Sequence, residues 1–200
     1  MTCLFFLYTI FLLEKISMKA LMIFADGFED VEAVATRDVL VRAGIEVIDA
    51  RIKEEETVIS SHKMYFNNFK RLSELNLGEF DAIILPGGSL GVQNLLKSEE
   101  VIKAVRAMYL AGRLVCAICA APMVLGKAGI LDNKPFTCYP GCEEGINGKY
   151  LGTEVVVLDQ IITARSMLYS IPFGLAIIEK LLGKDVSNRV YSGIAGLKKK

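Results

Sequence analysis

Two hundred residues, 52% of them hydrophobic, suffice to bury roughly 70% of the unfolded surface in one compact domain. Lysine plus arginine and aspartate plus glutamate both number 23, for zero formal charge; that balance excludes a basic field able to hold nucleic acid or an anionic membrane. A single histidine, His62, excludes a histidine-rich metal centre, and five cysteines, Cys3, Cys116, Cys119, Cys138 and Cys142, in a core-rich chain without a secretory framework point to reduced thiols in a cytoplasm.

Leu4 to Leu13 is an apolar run of ten residues, short of the ~20 that a membrane span needs. No basic residue precedes it, and Glu14-Lys15 follows where a signal peptide would carry small residues. Residues 1–17 are therefore read as an extension from a mis-assigned start, with a real membrane anchor as the alternative. A domain over 18–185 and a solvated tail over 186–200 follow.

From Met18 onward strands and helices alternate, which predicts an α/β fold with a mostly parallel sheet and helices on both faces. Lys19 to Phe24 reads as a strand, Ala25-Asp26-Gly27 as a turn, and Glu29 to Ala43 as a helix with Val31, Val34, Ala35 and Val39 on one face and Gly44 as its stop. Ile45 to Ala50 is the second strand. The charged stretch 51–70 reads as an excursion to the sheet edge, with a weak strand near Thr57–Ser60. Asp81 to Leu85 is a central strand ending in Pro86-Gly87-Gly88, and a helix from Glu99 to Ala111 follows. Phe136–Cys138, Glu154–Leu158 and Ile161–Ala164 complete the strands; Ser170 is expected to cap a helix with Ile171, Phe173, Leu175, Ile178 and Leu182 inward, ended by Gly183.

The chemistry points to Leu114-Val115-Cys116-Ala117-Ile118-Cys119-Ala120-Ala121-Pro122. A buried strand running into a helix with proline in its first turn forms a tight bend, and a side chain on that bend is thrust out of the sheet edge as in a nucleophile elbow. Cys119 occupies it, facing the helix end that favours thiolate. Cys116 falls mid-strand, which argues against a redox C-x-x-C pair. Backbone N–H groups of Gly87, Gly88 and Ala120 are candidates for an oxyanion hole. Glu29, Asp30 and Glu32 open the first helix; the first two suffice to answer its dipole, which leaves Glu32, on the Val31 side toward the core, as the proton partner and Glu29 as a candidate pocket residue. A carboxylate beside a thiolate is a like-charge pair that holds one proton between its members. Cys138 and Cys142 would need further ligands to hold a metal, so neither metal nor other cofactor is expected. His62, alone in a polar stretch, reads as a surface residue.

KALMIFADGFEDVEAVATRDVLVRAGIEV (Lys19 to Val47), LPGGSLGVQNL (Leu85 to Leu95) and CAICAAP (Cys116 to Pro122) together resemble the ThiJ/PfpI superfamily, in the branch of the parkinsonism-associated protein deglycase and its bacterial relatives. The likeness runs from Met18 to about Gly183. It implies a flavodoxin-like α/β sandwich, similar to class I glutamine amidotransferases in its nucleophile elbow, that pairs as a homodimer. Cys119 matches the family's oxidisable nucleophile, Glu32 the glutamate that hydrogen-bonds it, and Gly87 and Gly88 the glycine pair beside the pocket; Arg42 and His62 fall near pocket or interface arginines of relatives. Ala120 stands where Cys-His members carry histidine, and no histidine lies downstream for a triad. Cys138-Tyr139-Pro140 replaces Thr-His-Pro, which makes Tyr139 a candidate pocket residue, and Thr163-Ala164-Arg165-Ser166 replaces Thr-Ser-x-Gly. The implied function is glyoxalase or deglycase handling of reactive dicarbonyls, on a small aldehyde or a glycated protein. The alternative is an oxidative-stress sensor or chaperone working through oxidation of Cys119 to sulfinate. A thiazole or thiamine role ranks below both, because no loop cradles a phosphate.

Overall fold

The computed structural model describes residues 18–197; the apolar run at Leu4–Leu13 and the closing lysines lie outside them. Strand β1 (Lys19–Phe24) is buried from Ala20 onward, because a central strand of a parallel sheet is covered on both faces and needs apolar residues at successive positions. It pairs in parallel with β2 (Glu46–Arg51) on one side and β6 (Ala82–Leu85) on the other. Beyond β6 come β7 (Leu114–Ile118) and β11 (Ile161–Ala164), both parallel, and then β10 (Val155–Val157), antiparallel at that edge. The other edge is β5 (Lys70–Arg71).

Alternation along these strands divides the core in two. Leu21, Ile23, Ile83, Leu85 and Val115 pack against α2 (Ser89–Lys97), α3 (Glu99–Leu110) and α4 (Pro122–Lys127). Met22, Ile84, Cys116 and Ile118 pack against α1 (Asp30–Arg42) and α5 (Ser170–Leu182). The result is the flavodoxin-like three-layer sandwich. Among the described residues no helix is long and apolar enough to cross a membrane.

Several local readings need correction. The inward face of α1 is Glu32, Ala33, Thr36, Val39 and Leu40, whereas Val31 and Val34 are 45% and 50% exposed. Helix α5 comes close to this face: a Cβ on Gly174 would stand 3.0 Å from Val39 Cγ1. Ser170 opens α5, but its Oγ donates to the Met167 carbonyl at 2.7 Å instead of capping an N–H, and Ile171 faces out. The stretch read as a tail is helical over α6 (Lys184–Ile194), where Ser187 and Val190 are buried. Residues 89–97, for which the sequence predicts no helix, fold as α2. The excursion 51–70 does reach the edge as β5, but it first forms a hairpin of β3 (Val58–Ile59) and β4 (Tyr65–Phe66). That hairpin is hydrogen-bonded to the turn after β1, through Gly27 N–H to the Ile59 carbonyl at 2.7 Å and Ser61 N–H to the Phe28 carbonyl at 2.8 Å. The small β8 (Pro135–Phe136) and β9 (Lys149–Tyr150) pair apart from the main sheet.

Two glycines test this packing. A methyl group at Gly91 of α2 would lie within 2.8–2.9 Å of backbone atoms of Gly27 and Phe28, so Gly91→Ala is expected to cost about 1–3 kcal/mol of stability despite alanine's better helix propensity. Gly193→Ala in α6 meets nothing within 4 Å and should gain about 0.5–1 kcal/mol. Urea midpoints that moved together would contradict the close α2–turn contact.

Candidate active site

Strands β1, β6 and β7 all end at one place, the carboxyl edge of the sheet where doubly wound folds hold their ligands. Cys119, directly after β7, has φ of +63°, a left-handed backbone that costs a non-glycine residue about 1–3 kcal/mol. Hydrogen bonds on both sides hold it there: its N–H donates to the Ala164 carbonyl and its carbonyl accepts from Tyr139 N–H, each at 2.8 Å. The elbow anticipated from the run of small residues is thus present in the backbone.

Glu32 is 1% exposed. Its N–H donates to Glu29 Oε2 at 2.7 Å, which makes Glu29 the N-cap of α1 and turns the Glu32 side chain toward the sheet. There Oε2 accepts the Gly87 N–H at 2.8 Å, and the Gly87 carbonyl in turn accepts Glu29 N–H at 3.0 Å. The carboxyl lies within hydrogen-bonding reach of the Cys119 thiol. Gly87 is required by this approach, since a Cβ would come 2.5 Å from Glu32 Oε2 and 2.7 Å from Cys119 Cβ. The Gly87 N–H is therefore engaged by Glu32 and is not an oxyanion donor. The N–H groups of Ala120 and Gly88 are the ones that face the sulfur.

Burial raises the Glu32 carboxyl to about 7; the Cys119 contact and Gly87 N–H oppose the rise and the charge of Glu29 adds to it. Burial also pushes the Cys119 thiol up, and an ionised Glu32 pushes it further, against the two N–H groups. This reverses the expectation that the helix end alone favours thiolate. Helix α4 has only six residues, so its dipole is too weak to overcome burial beside a carboxylate. The two groups titrate as a pair. Glu32 gives up its proton near 7, and the charge it then carries helps to hold the remaining proton on the sulfur.

Cys119 opens into a cleft of about 660 Å³ whose lining includes Glu29, His62 and Tyr139 as anticipated, and also Ser61, Gln93, Met123 and Cys142. Among the described residues no lysine or arginine lines it. Gln93 and Met123 lie on helices after the β6 and β7 turns, and Ser61 arrives on the hairpin, which the sequence showed only as a weak strand. Arg42 is elsewhere: at the far end of α1 it pairs with Asp38 at 2.6 Å, exposed. His62 is largely exposed at the rim, its Nδ1 2.8 Å from Asp30 Oδ2. Against the cost of its burial, hydrogen bonds from Ser60, His62 and Ser61 pull the Asp30 carboxyl down to about 2. Glu29, Asp30 and His62 are, among the described residues, the one group of three whose ligand atoms lie within 4.8 Å of one another. The His62–Asp30 hydrogen bond and the capping of α1 by Glu29 account for their proximity.

The coupled pair sets two pH dependences. Alkylation of Cys119 by iodoacetamide should rise only at alkaline pH, and Glu32→Gln, which takes away the like charge, should bring that rise to lower pH. Native Glu32 also keeps, between 4.5 and about 7, a proton that the unfolded chain has lost. Its contribution to stability therefore falls as pH rises through that window, by about 3 kcal/mol in all. Denaturation of wild type against Glu32→Gln across the window reads this slope, and parallel curves would refute it.

Residues 18–180 match the DJ-1/PfpI family. The chain is 35% identical over 181 residues to Protein dj-1beta of Drosophila melanogaster, taking in 89% of this chain and 97% of the relative. It is 32% identical over 151 residues to a deglycase of Pyrococcus abyssi, 74% of this chain and 90% of the relative. The crystal structure of Drosophila melanogaster DJ-1beta superposes with a TM-score of 0.85, covering 90% of this chain and 98% of that one. Agreement over so much of both chains, in sequence and in backbone alike, means that the chain belongs to the DJ-1/PfpI family.

Proposed function

We propose that the chain converts reactive dicarbonyls to hydroxyacids, with Cys119 as nucleophile and Glu32 as proton carrier. The observation that carries this reading is the buried carboxyl held against an accessible thiol on the floor of a cleft. The thiolate sulfur adds to the aldehyde carbon of methylglyoxal, and the new oxyanion meets the N–H groups of Ala120 and Gly88 before taking a proton, giving a hemithioacetal. Glu32, ionised once its proton has gone to that oxygen, removes the proton from the former aldehyde carbon. It returns a proton to the neighbouring carbon, so that a ketone and a hemithioacetal become an alcohol and a thioester. Water then cleaves the carbon–sulfur bond, releasing lactate and the thiol. A carboxyl titrating near 7 suits both directions of transfer. Glycated side chains entering the same cleft are the protein-sized version of this substrate, a reading supported by the deglycase name of the Pyrococcus abyssi relative. Pairing of two copies belongs to the same proposal, and the half-exposed Val31 and Val34 on α1 offer an apolar face for it.

A second reading has its own support. Cys119 is accessible to peroxide, and a protonated Glu32 beside it is placed to donate to a sulfinate oxygen, as a redox sensor or chaperone requires. Lactate formation from methylglyoxal separates the two. Under the enzymatic reading Cys119→Ser and Glu32→Gln each lose roughly 10²-fold or more in kcat/KM. Negligible wild-type turnover, with peroxide adding two oxygens at Cys119 alone, would favour the sensor.

A further inference from the structure

Four cysteines fall among the described residues, all as free thiols. Cys116 and Cys138 are fully buried, whereas Cys119 and Cys142 are partly exposed and line the same cleft. The dicarbonyl chemistry makes no use of Cys142. Its segment is nevertheless tied to Cys119 by two backbone hydrogen bonds in series, from Tyr139 N–H to the Cys119 carbonyl at 2.8 Å and from Cys142 N–H to the Tyr139 carbonyl at 2.9 Å. The second closes a four-residue turn, whose ends lie within about 7 Å of each other. Cys142 thus stands about one turn's width beyond the residue bonded to Cys119. Tyr139, Pro140 and Gly141 are exposed, Gly141 sits at φ of +91°, and Cys142 at the end of the turn packs partly against the core.

We propose that Cys142 is the resolving thiol for Cys119, which makes the cleft a reversible peroxide switch. The inference rests on the reading of Cys119 as the reactive thiol. The Cys119 thiolate attacks one oxygen of hydrogen peroxide. The O–O bond breaks, sulfur is oxidised by two electrons to sulfenic acid, and the leaving hydroxide takes the proton shared with Glu32 and departs as water. The Cys142 thiolate then attacks the sulfenic sulfur: an S–S bond forms, the S–O bond breaks, and hydroxide leaves with the proton Cys142 released, as a second water. Two thiols and one peroxide become a disulfide and two waters. A disulfide needs its Cα atoms within about 7 Å, so the turn moves inward as the bond forms and closes the mouth of the cleft. An external small thiol reopens it by exchange, returning both cysteines and leaving as its own disulfide. Cys119 is thereby kept from the irreversible sulfinate.

The test uses reduced full-length protein, as wild type, Cys142→Ser and Cys138→Ser, exposed to equimolar hydrogen peroxide, alkylated with iodoacetamide and digested without reductant for mass spectrometry. The expected result is a peptide pair linked through Cys119 and Cys142 in wild type and Cys138→Ser, abolished by dithiothreitol. In Cys142→Ser the link is lost and sulfinate at Cys119 builds up severalfold faster. Sulfinate forming at equal rates in wild type and Cys142→Ser with no linked pair overturns the proposal, as does a Cys138–Cys142 link that leaves Cys119 alkylated. A Cys119 inert to both peroxide and iodoacetamide in every variant defeats the nucleophile reading beneath it as well, and is distinguishable from the other two results.

Discussion

A carboxyl group buried against a thiol is the constraint on which the rest of this structure depends. Alone in the interior, Glu32 would be an expense the fold does not meet; it is tolerable because Gly87 N–H and Cys119 satisfy its oxygens and because it keeps a proton up to about pH 7. Each neighbour is specified by that arrangement. Glu29 caps α1 and fixes the rotation that points position 32 inward. Position 87 must be glycine, since a methyl group there would occupy the space in which carboxyl and sulfur meet.

The sheet supplies the registration. Because β1, β6 and β7 are adjacent and parallel, the turns that follow them emerge side by side, one carrying the acid, one the glycine loop and one the cysteine. Cys119 also lies where the two halves of the core meet: its side chain packs with the α1 and α5 half, while Ala120 and Ala121 belong to the α2–α4 half. The strained φ at Cys119 is sustained by that position, with Ala164 of β11 holding its N–H and Tyr139 its carbonyl.

The sheet was legible in the sequence because strands buried on both faces announce themselves as uninterrupted apolar runs, and the elbow was legible because Ala120, Ala121 and Pro122 leave no room for anything but a tight bend. What failed was periodicity in helices whose inward face is not the most apolar one. In α1 the core-facing positions include Glu32 and Thr36 while Val31 and Val34 point out, and Glu32 is held inward by the Gly87 N–H. Helix α2 is hidden in the sequence by Gly87-Gly88, which end the strand, and by Gly91, a poor helix former that is nonetheless a helix residue packed on Phe28. Two-residue strands such as β3 and β4 are too short for alternation to show, so the arrival of Ser61 and His62 at the cleft, and with it the capture of His62 by Asp30, could not be read from spacing. Cys142 was noted only as half of a metal-like pair; its place in the cleft follows from the turn at 139–142.

A carboxyl partner has consequences that an imidazole would not. Beside an imidazolium a thiolate is stabilised by opposite charge and persists over a wide pH range. Beside Glu32 the like charge works the other way: the carboxyl is the member of the pair that ionises near neutral pH, and its charge helps to keep the proton on the sulfur. In either proposed reaction an anionic product formed on the sulfur, whether a hemithioacetal oxyanion or an oxidised thiol, would meet an adjacent acid able to donate to it. Addition to an aldehyde and oxidation by peroxide would then draw on one electrostatic device, and which of them proceeds would depend on what enters a cleft lined, among the described residues, by no lysine or arginine.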